Sequence, residues 1–265
     1  MTEKEYRAHP AVSRSELWRI SESPEKFKYY KENPVETTPA LLFGQLFHKM
    51  ALEPETLWDE FAVVPDFDKR TKAGREAHNE FIASLGDKTV VTNDMYYLSK
   101  QICDSLYSNT YVKKLLSGER EKVFFWNDEL TGEQCKCRTD CVTQVGELPL
   151  IIDLKTCACA ESDAFMKAAI KHGYDFQSGM YTEGVELCTG KEYGFVFIAV
   201  EKEPPFAVNI LQADKLFITR GYDLFREYIG IYHDCKTTGN WYGYLGRQNM
   251  INNLGLPSYL AKEVE

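Results

Sequence analysis

The sequence predicts an α/β (α+β) protein, with a central mixed β-sheet of about five strands, flanking helices and a helical N-terminal region. Three observations carry this reading. Up to about residue 118, apolar residues recur at helical spacing between Ser, Thr and Pro boundaries. Residues 121–157 hold three runs of strand character, separated by the turn-like "DELTGE" and "QVGELP". Residues 161–237 then read as helix, two strands around a Pro turn, and helix.

Each element has a local reason. "AVSRSELWRISESPEKFKYYK" (11–31) opens on a Ser-rich cap signal and restarts at Pro24. "TPALLFGQLFHKMALEP" (38–54) is a mostly apolar, buried helix bounded by prolines. Residues 63–90 read as a charged, mobile loop passing into a helix, and 92–116 as a further helix. Residues 121–157 suit an antiparallel meander. Residues 161–190 are helical with a break at Gly173, 192–212 give two strands, and 213–237 is a long amphipathic helix. There is no internal repeat or linker, so residues 1–265 form a single domain: a helical part (about 1–118), a core (about 119–237) and a tail (about 238–265).

Bulk properties narrow the classes. With 265 residues, 44% of them hydrophobic, the chain can bury a substantial core. No long apolar run indicates a membrane span, and "MTEKEYRAHP" lacks a signal-peptide pattern, so a cytoplasmic protein is expected. A net charge of −9 argues against nonspecific coating of nucleic acid, but not against a local grip on it. Eight cysteines without a CxxC pair read as small buried thiols rather than a zinc site.

The chemistry is concentrated in two strands. Side chains alternate across a strand. In "CKCRTDCV" (135–142), Lys136, Arg138 and Asp140 share one face, and Cys135, Cys137, Thr139 and Cys141 the other. In "LIIDLKT" (150–156), Asp153 and Lys155 share a face with Ile151, and Ile152 and Leu154 point the opposite way. A salt-bridged, solvent-facing surface is the ordinary outcome for such strands, worth little energy. Asp153, however, lies in the most apolar strand, where an internal acid needs a partner or a metal. Two aspartates converging from neighbouring strands offer hard oxygen ligands to Mg²⁺, with the Leu154 backbone carbonyl as a further donor. Lys155 would orient or help deprotonate a water attacking a phosphodiester.

At these residues the sequence resembles the PD-(D/E)xK nuclease superfamily, in particular its RecB-type and phage RecE-type exonucleases related to lambda exonuclease. "RTD…IIDLKT" supplies Asp140, Asp153 and Lys155, although Thr139 stands where many members have proline. "GQLFH" (44–48) matches the family's G-x-x-x-H helix. Taken alone, His48 is a core histidine on an apolar helix; the resemblance makes it a metal ligand. "QSGMY" (177–181) matches Q-x-x-x-Y, with Gln177 and Tyr181 on one helical face. An acid ahead of the meander is also typical, here Glu121, with Glu119 as rival.

The resemblance implies a restriction-endonuclease-like core and a Mg²⁺-dependent DNA exonuclease (Mn²⁺ substituting) that works 5′-to-3′ on linear duplex ends in phage-type recombination. It implies a ring-like homo-oligomer and a single-strand annealing protein as partner. Lys136 and Arg138 are candidate phosphate contacts, and Arg14, Ser13 and Ser15 candidate contacts to a terminal phosphate. The C-terminal cysteine group of iron–sulfur members is missing, so no cluster is expected. Two alternatives stay open: a non-catalytic DNA-end or partner-binding module, and an endonuclease of the restriction or resolvase kind.

Overall fold

The computed structural model describes residues 1, 3–34, 37–246, 251 and 254–255, so most of the predicted polar tail lies outside the described residues. In chain order the N-terminal part comprises α1 (Glu3–Ala8), β1 (Val12–Ser13), α2 (Arg14–Leu17), α3 (Pro24–Glu32), α4 (Pro39–Leu52) and α5 (Leu57–Glu60). It continues through β2 (Phe61–Val63), α6 (Lys72–Ser84), β3 (Thr89–Val91), α7 (Asn93–Ser108) and α8 (Thr110–Leu115). The core then runs through β4 (Glu119–Asn127), β5 (Gln134–Gln144), β6 (Pro149–Cys157), α9 (Ser162–Lys171) and α10 (Tyr174–Thr189). It closes with β7 (Gly194–Glu201), β8 (Val208–Gln212) and α11 (Lys215–Thr238).

Helix starts follow capping chemistry. Ser23, Thr38, Thr71, Thr92, Asn109 and Asp214 each accept a first-turn amide, and Pro24 and Pro39 occupy first helical positions. The Asn109 cap splits the expected 92–116 helix in two. The charged stretch expected as a mobile loop is instead framed by a short parallel pair, β2 with β3, and packs through Phe61 and Val91 onto Leu46 of α4. Three-residue strands carry too little alternation to be read from sequence.

The six-stranded sheet runs β1-β5-β6-β7-β8, with β4 on β5. β4, β5 and β6 form the expected antiparallel meander. β7 is parallel to β6, which requires the crossover that α9 and α10 provide. β8 returns antiparallel to β7. Beyond the predicted strands, β1 pairs with the start of β5 through Val12 and Ser13. One face buries Ile151, Phe195, Phe197 and Ala199 under α2, α3, α9, α10 and α11. The other buries Ile152, Leu154, Val196, Ile198 and Val200 under α4, α7 and α8. A fully buried Leu or Ile contributes about 1.5–3 kcal/mol, so these two layers fix the strands between them.

Two irregularities shape the sheet. First, β5 and β6 pair only from Cys141↔Ile152 to Gln144↔Pro149; beyond that rung they diverge into a fork. Second, the β4–β5 ladder runs through Arg120↔Cys141 and resumes at Lys122↔Thr139, leaving Glu121 opposite Asp140 unpaired. Glu121 has a φ of 49°, a left-handed conformation rare for a residue with a side chain. The two strands swap faces there. Arg120 donates to the carbonyls of Leu52 and Leu116 in the α4 layer, whereas Phe124 and Trp126 lie in the α10 layer. Cys135 and Cys137 lie in the α10 layer, but Cys141 lies in the α4 layer. The expectation that Cys141 shares a face with Cys135 and Cys137 is therefore corrected: alternation holds only within an unbroken ladder.

Candidate active site

Asp140 and Asp153 are the first residues past the last β5–β6 rung, so they flank the mouth of the fork. In a continued ladder the Leu154 amide would meet β5 backbone. Here it donates to Oδ2 of Asp140 at 2.6 Å, so the side chain replaces the missing rung. In extended backbone a residue's N–H and C=O point to the same strand edge, so the Leu154 carbonyl also opens toward the fork.

Across the fork, α4 brings His48, whose Nδ1 lies 3.4 Å from Oδ1 of Asp140. The kink in β4 brings Glu121. Ligand atoms of His48, Glu121 and Asp140 all lie within 4.8 Å of one another. Their side chains are only 30%, 16% and 13% exposed, so the charges are concentrated in poorly hydrated space. Burial together with Asp140 pushes the Glu121 carboxyl up to about 7. Burial also acts to raise Asp140, but His48, Lys155 and the Leu154 amide outweigh it and hold Asp140 below the usual carboxylate range. Burial acts to lower His48, and Asp140 more than reverses that.

Asp153 stands beside this group, with an oxygen turned to each of two neighbours. Oδ2 is 2.5 Å from Nζ of Lys155, and Oδ1 accepts a hydrogen bond from the Gln177 side-chain amide. Burial pushes the Asp153 carboxyl up, against the pull of Lys155. The sequence expectation grouped His48, Asp140 and Asp153 as ligands; the structure gathers His48, Asp140 and Glu121, with Asp153 anchoring Lys155. The Lys155 ammonium also sits over the Tyr174 ring, 4.7 Å from its centroid. Tyr174 lies on the first turn of α10, one turn before Gln177, so both reach the same strand from one helical face. That i, i+3 spacing was a readable signal for Tyr174. Tyr181, a turn further on, packs edge-on against Phe195, and burial pushes its hydroxyl well up.

The proposed nucleic-acid contacts fare differently. Lys136 is 2% exposed, and its Nζ donates to the carbonyls of Tyr6 and His9 at 2.7 and 2.8 Å. That placement turns its ammonium onto α1 and the loop after it rather than toward a phosphate, because β1 and α1 cover the start of β5. Arg138 pairs with Glu121, Nε to Oε2 at 2.7 Å, and stacks on Tyr6. Arg14 donates to the carbonyls of His172 and Gly173 at the end of α9 and lies over Trp18. Ser13 caps α2 in a reciprocal box with Glu16, and Ser15 is exposed with its hydroxyl 3.3 Å from that of Ser13. Glu119, the rival to Glu121, pairs with Lys122 on the surface.

The donor chemistry fits a divalent cation. Two carboxylates and an imidazole converge, with Arg138 paired to Glu121 at one side. Carboxylates suit Mg²⁺ and Mn²⁺, and the imidazole favours transition metals such as Mn²⁺. Among the described residues this is the group of three or more such side chains close enough to hold an ion. No helix among them is long and apolar enough to cross a membrane.

Comparison with known proteins bears on the family and the fold. A family model described as a PDDEXK-like domain of unknown function (DUF3799) matches residues 13–253. A crystal structure from Eubacterium rectale described as "Putative exonuclease" superposes with a TM-score of 0.66 at 17% identity, over 97% of this chain and 96% of that one. A crystal structure described as SSO0001 aligns over 86% of this chain and 81% of that one, with a TM-score of 0.37 and 12% identity. No curated protein sequence matches the chain. The sheet, the fork and the family match over most of the length place the chain in the PDDEXK-like family DUF3799, within the PD-(D/E)xK nuclease superfamily.

Proposed function

We propose that the protein is a divalent-metal-dependent deoxyribonuclease, using Mg²⁺ or Mn²⁺, that acts as an exonuclease on the ends of linear duplex DNA. The observation that carries this reading is the His48–Glu121–Asp140 group at the fork, with Lys155 held on Asp153 beside it. A bound divalent cation would stabilise charge on the scissile phosphate and increase the acidity of a water. His48, Glu121 and Asp140 would hold it, with the Leu154 carbonyl as a further donor.

The remaining chemistry falls to the chain's own residues. Lys155 orients the attacking water and stabilises charge developing on phosphate oxygens. Its ammonium is fixed from two sides, by the Asp153 carboxylate and the Tyr174 ring. Gln177 holds the other Asp153 oxygen, so the acid cannot rotate away from the lysine. Tyr181 completes the packed wall behind Gln177. Arg14 is a cation fixed near this wall and is proposed, with Ser13 and Ser15, to contact a terminal phosphate.

The described name of the Eubacterium rectale protein and the resemblance to RecE-type enzymes support exonuclease over endonuclease action. They also support the finer reading: 5′-to-3′ digestion in phage-type recombination, a ring-like oligomer and a partner that anneals the single-stranded product. The test is incubation of wild type and Asp140→Ala with linear and covalently closed duplex DNA in Mg²⁺ and Mn²⁺. Metal-dependent loss of the linear substrate by wild type alone is expected. Cleavage of the closed circle would favour the endonuclease, and no cleavage of either would leave a binding module.

A further inference from the structure

Arg138 emerges from the same strand as Asp140, two residues earlier, yet it serves the opposite strand. Its Nε lies 2.7 Å from Oε2 of Glu121, and both side chains are mostly buried, at 28% and 16% exposure. Glu121 needs such help. Its backbone is in the left-handed region, which is strained for a non-glycine residue. It is also the rung of its ladder that does not pair with Asp140. Two neighbouring carboxylates repel, and a free glutamate side chain would swing away from Asp140. The ion pair with Arg138 ties the Glu121 carboxylate down beside His48 and Asp140.

The arginine is itself braced. Tyr6 of α1 lies against the guanidinium at 5.3 Å and against the Lys136 ammonium at 4.8 Å. Lys136 fixes the end of this segment by donating to the carbonyls of Tyr6 and His9. His9 packs on Phe125 of β4, with ring centroids 4.3 Å apart. A continuous contact path therefore runs from α1 through Tyr6 and Arg138 to Glu121.

We propose that Arg138 is a positioning residue for the metal ligand Glu121, and that α1 acts on the metal site through the Tyr6–Arg138 contact. This rests on the proposed reading of His48, Glu121 and Asp140 as metal ligands. It replaces the sequence-based assignment of Arg138 to a DNA phosphate, because the guanidinium is already engaged with a ligand.

The test is isothermal titration of Mn²⁺ into the protein without DNA, for wild type, Arg138→Met, Arg138→Lys and Tyr6→Leu, at a temperature where circular dichroism shows each to be folded. Arg138→Met is expected to weaken Mn²⁺ binding by roughly 10- to 100-fold, the usual effect of losing a partner that orients a ligand. Arg138→Lys should recover part of that loss, and Tyr6→Leu should weaken binding several-fold through the path from α1. Unchanged Mn²⁺ affinity in folded Arg138→Met would overturn the proposal. Should Arg138→Met fail to fold, unchanged affinity in both Arg138→Lys and Tyr6→Leu would overturn it equally. Absence of Mn²⁺ binding by wild type would defeat the metal-site reading itself, which separates that failure from this one.

Discussion

Glu121 and Asp140 face each other across the rung of the β4–β5 ladder that does not pair, and both turn their carboxylates toward His48. The break in the sheet and the candidate cation site thus coincide. Opposed residues of a regular ladder also share a face, but there this pair would lie within the sheet surface; the break turns it toward His48. The left-handed backbone at Glu121 is the local cost of bringing them together.

This pairing gives the metal-free protein a distinctive pH dependence. Glu121 titrates near 7, above its unfolded value, so folding takes up a proton between about pH 4.5 and 7. Its contribution to stability is therefore fully present below the unfolded pKa and is lost as pH rises through 7. His48 is also raised and acts in the same sense at higher pH. The lowered Asp140 acts oppositely, but only at acid pH below the ordinary carboxylate range. Thermal melts from pH 5.5 to 7.5 should show wild type losing stability relative to Glu121→Gln. The rise in melting temperature on adding Mn²⁺ should grow over the same range, because the cation binds the ionised carboxylate.

His48 should tune metal preference. Its imidazole is the one nitrogen donor of the group. His48→Ala is expected to weaken Mn²⁺ binding by about tenfold or more and Mg²⁺ binding by less, measured by titration calorimetry. Equal losses for the two ions would mean that His48 supports the site without binding the ion.

The lysine and its supports should separate by magnitude. Lys155→Ala is expected to lower kcat by about 10²- to 10⁴-fold with metal affinity nearly unchanged. Gln177→Ala and Tyr174→Leu act only through Asp153 and Lys155, so each should cost about 10- to 100-fold. Single-turnover digestion of linear duplex DNA measures all three, and an unaffected Lys155→Ala would remove the lysine from the chemistry.

Helix α10 is positioned by glycines, and this is testable through stability. Gly221 on α11 approaches so closely that an added Cβ would sit 1.8 Å from the Asp175 carbonyl oxygen. Gly173 has a φ of 64°, and a Cβ there would lie 2.5 Å from the Trp18 ring. Gly173→Ala should cost about 2–4 kcal/mol, adding left-handed strain to overpacking, and urea denaturation reads this directly. It should also reduce activity, since Tyr174 and the Arg14-binding carbonyls flank that residue.

Much of this was legible in the sequence. The apolar pattern of Ile152 and Leu154 against Asp153 and Lys155 survives in the structure because β6 is regular and sandwiched between two layers. Gly173 and Pro24 mark real breaks, since each acts through its own backbone. The spacing of Gln177 places it on the face of α10 that meets β6. What was not legible depends on long-range geometry. The face swap at Asp140 and Cys141 follows from a kink at Glu121, a residue whose type gives no hint of positive φ. The fate of Lys136 and Arg138 depends on α1, which lies about 130 residues away in sequence and packs on β5 through Tyr6, next to the two-residue β1. Their charge suggested a phosphate; their surroundings give them to carbonyls and a carboxylate.

The central claim is that a divalent cation binds between α4, β4 and β5. A crystal structure of the protein grown or soaked with Mn²⁺, with anomalous diffraction at the manganese edge, tests it most directly. One strong anomalous peak is expected within coordinating distance of His48, Glu121 and Asp140. No peak there at saturating Mn²⁺, or a peak on other residues, would contradict it.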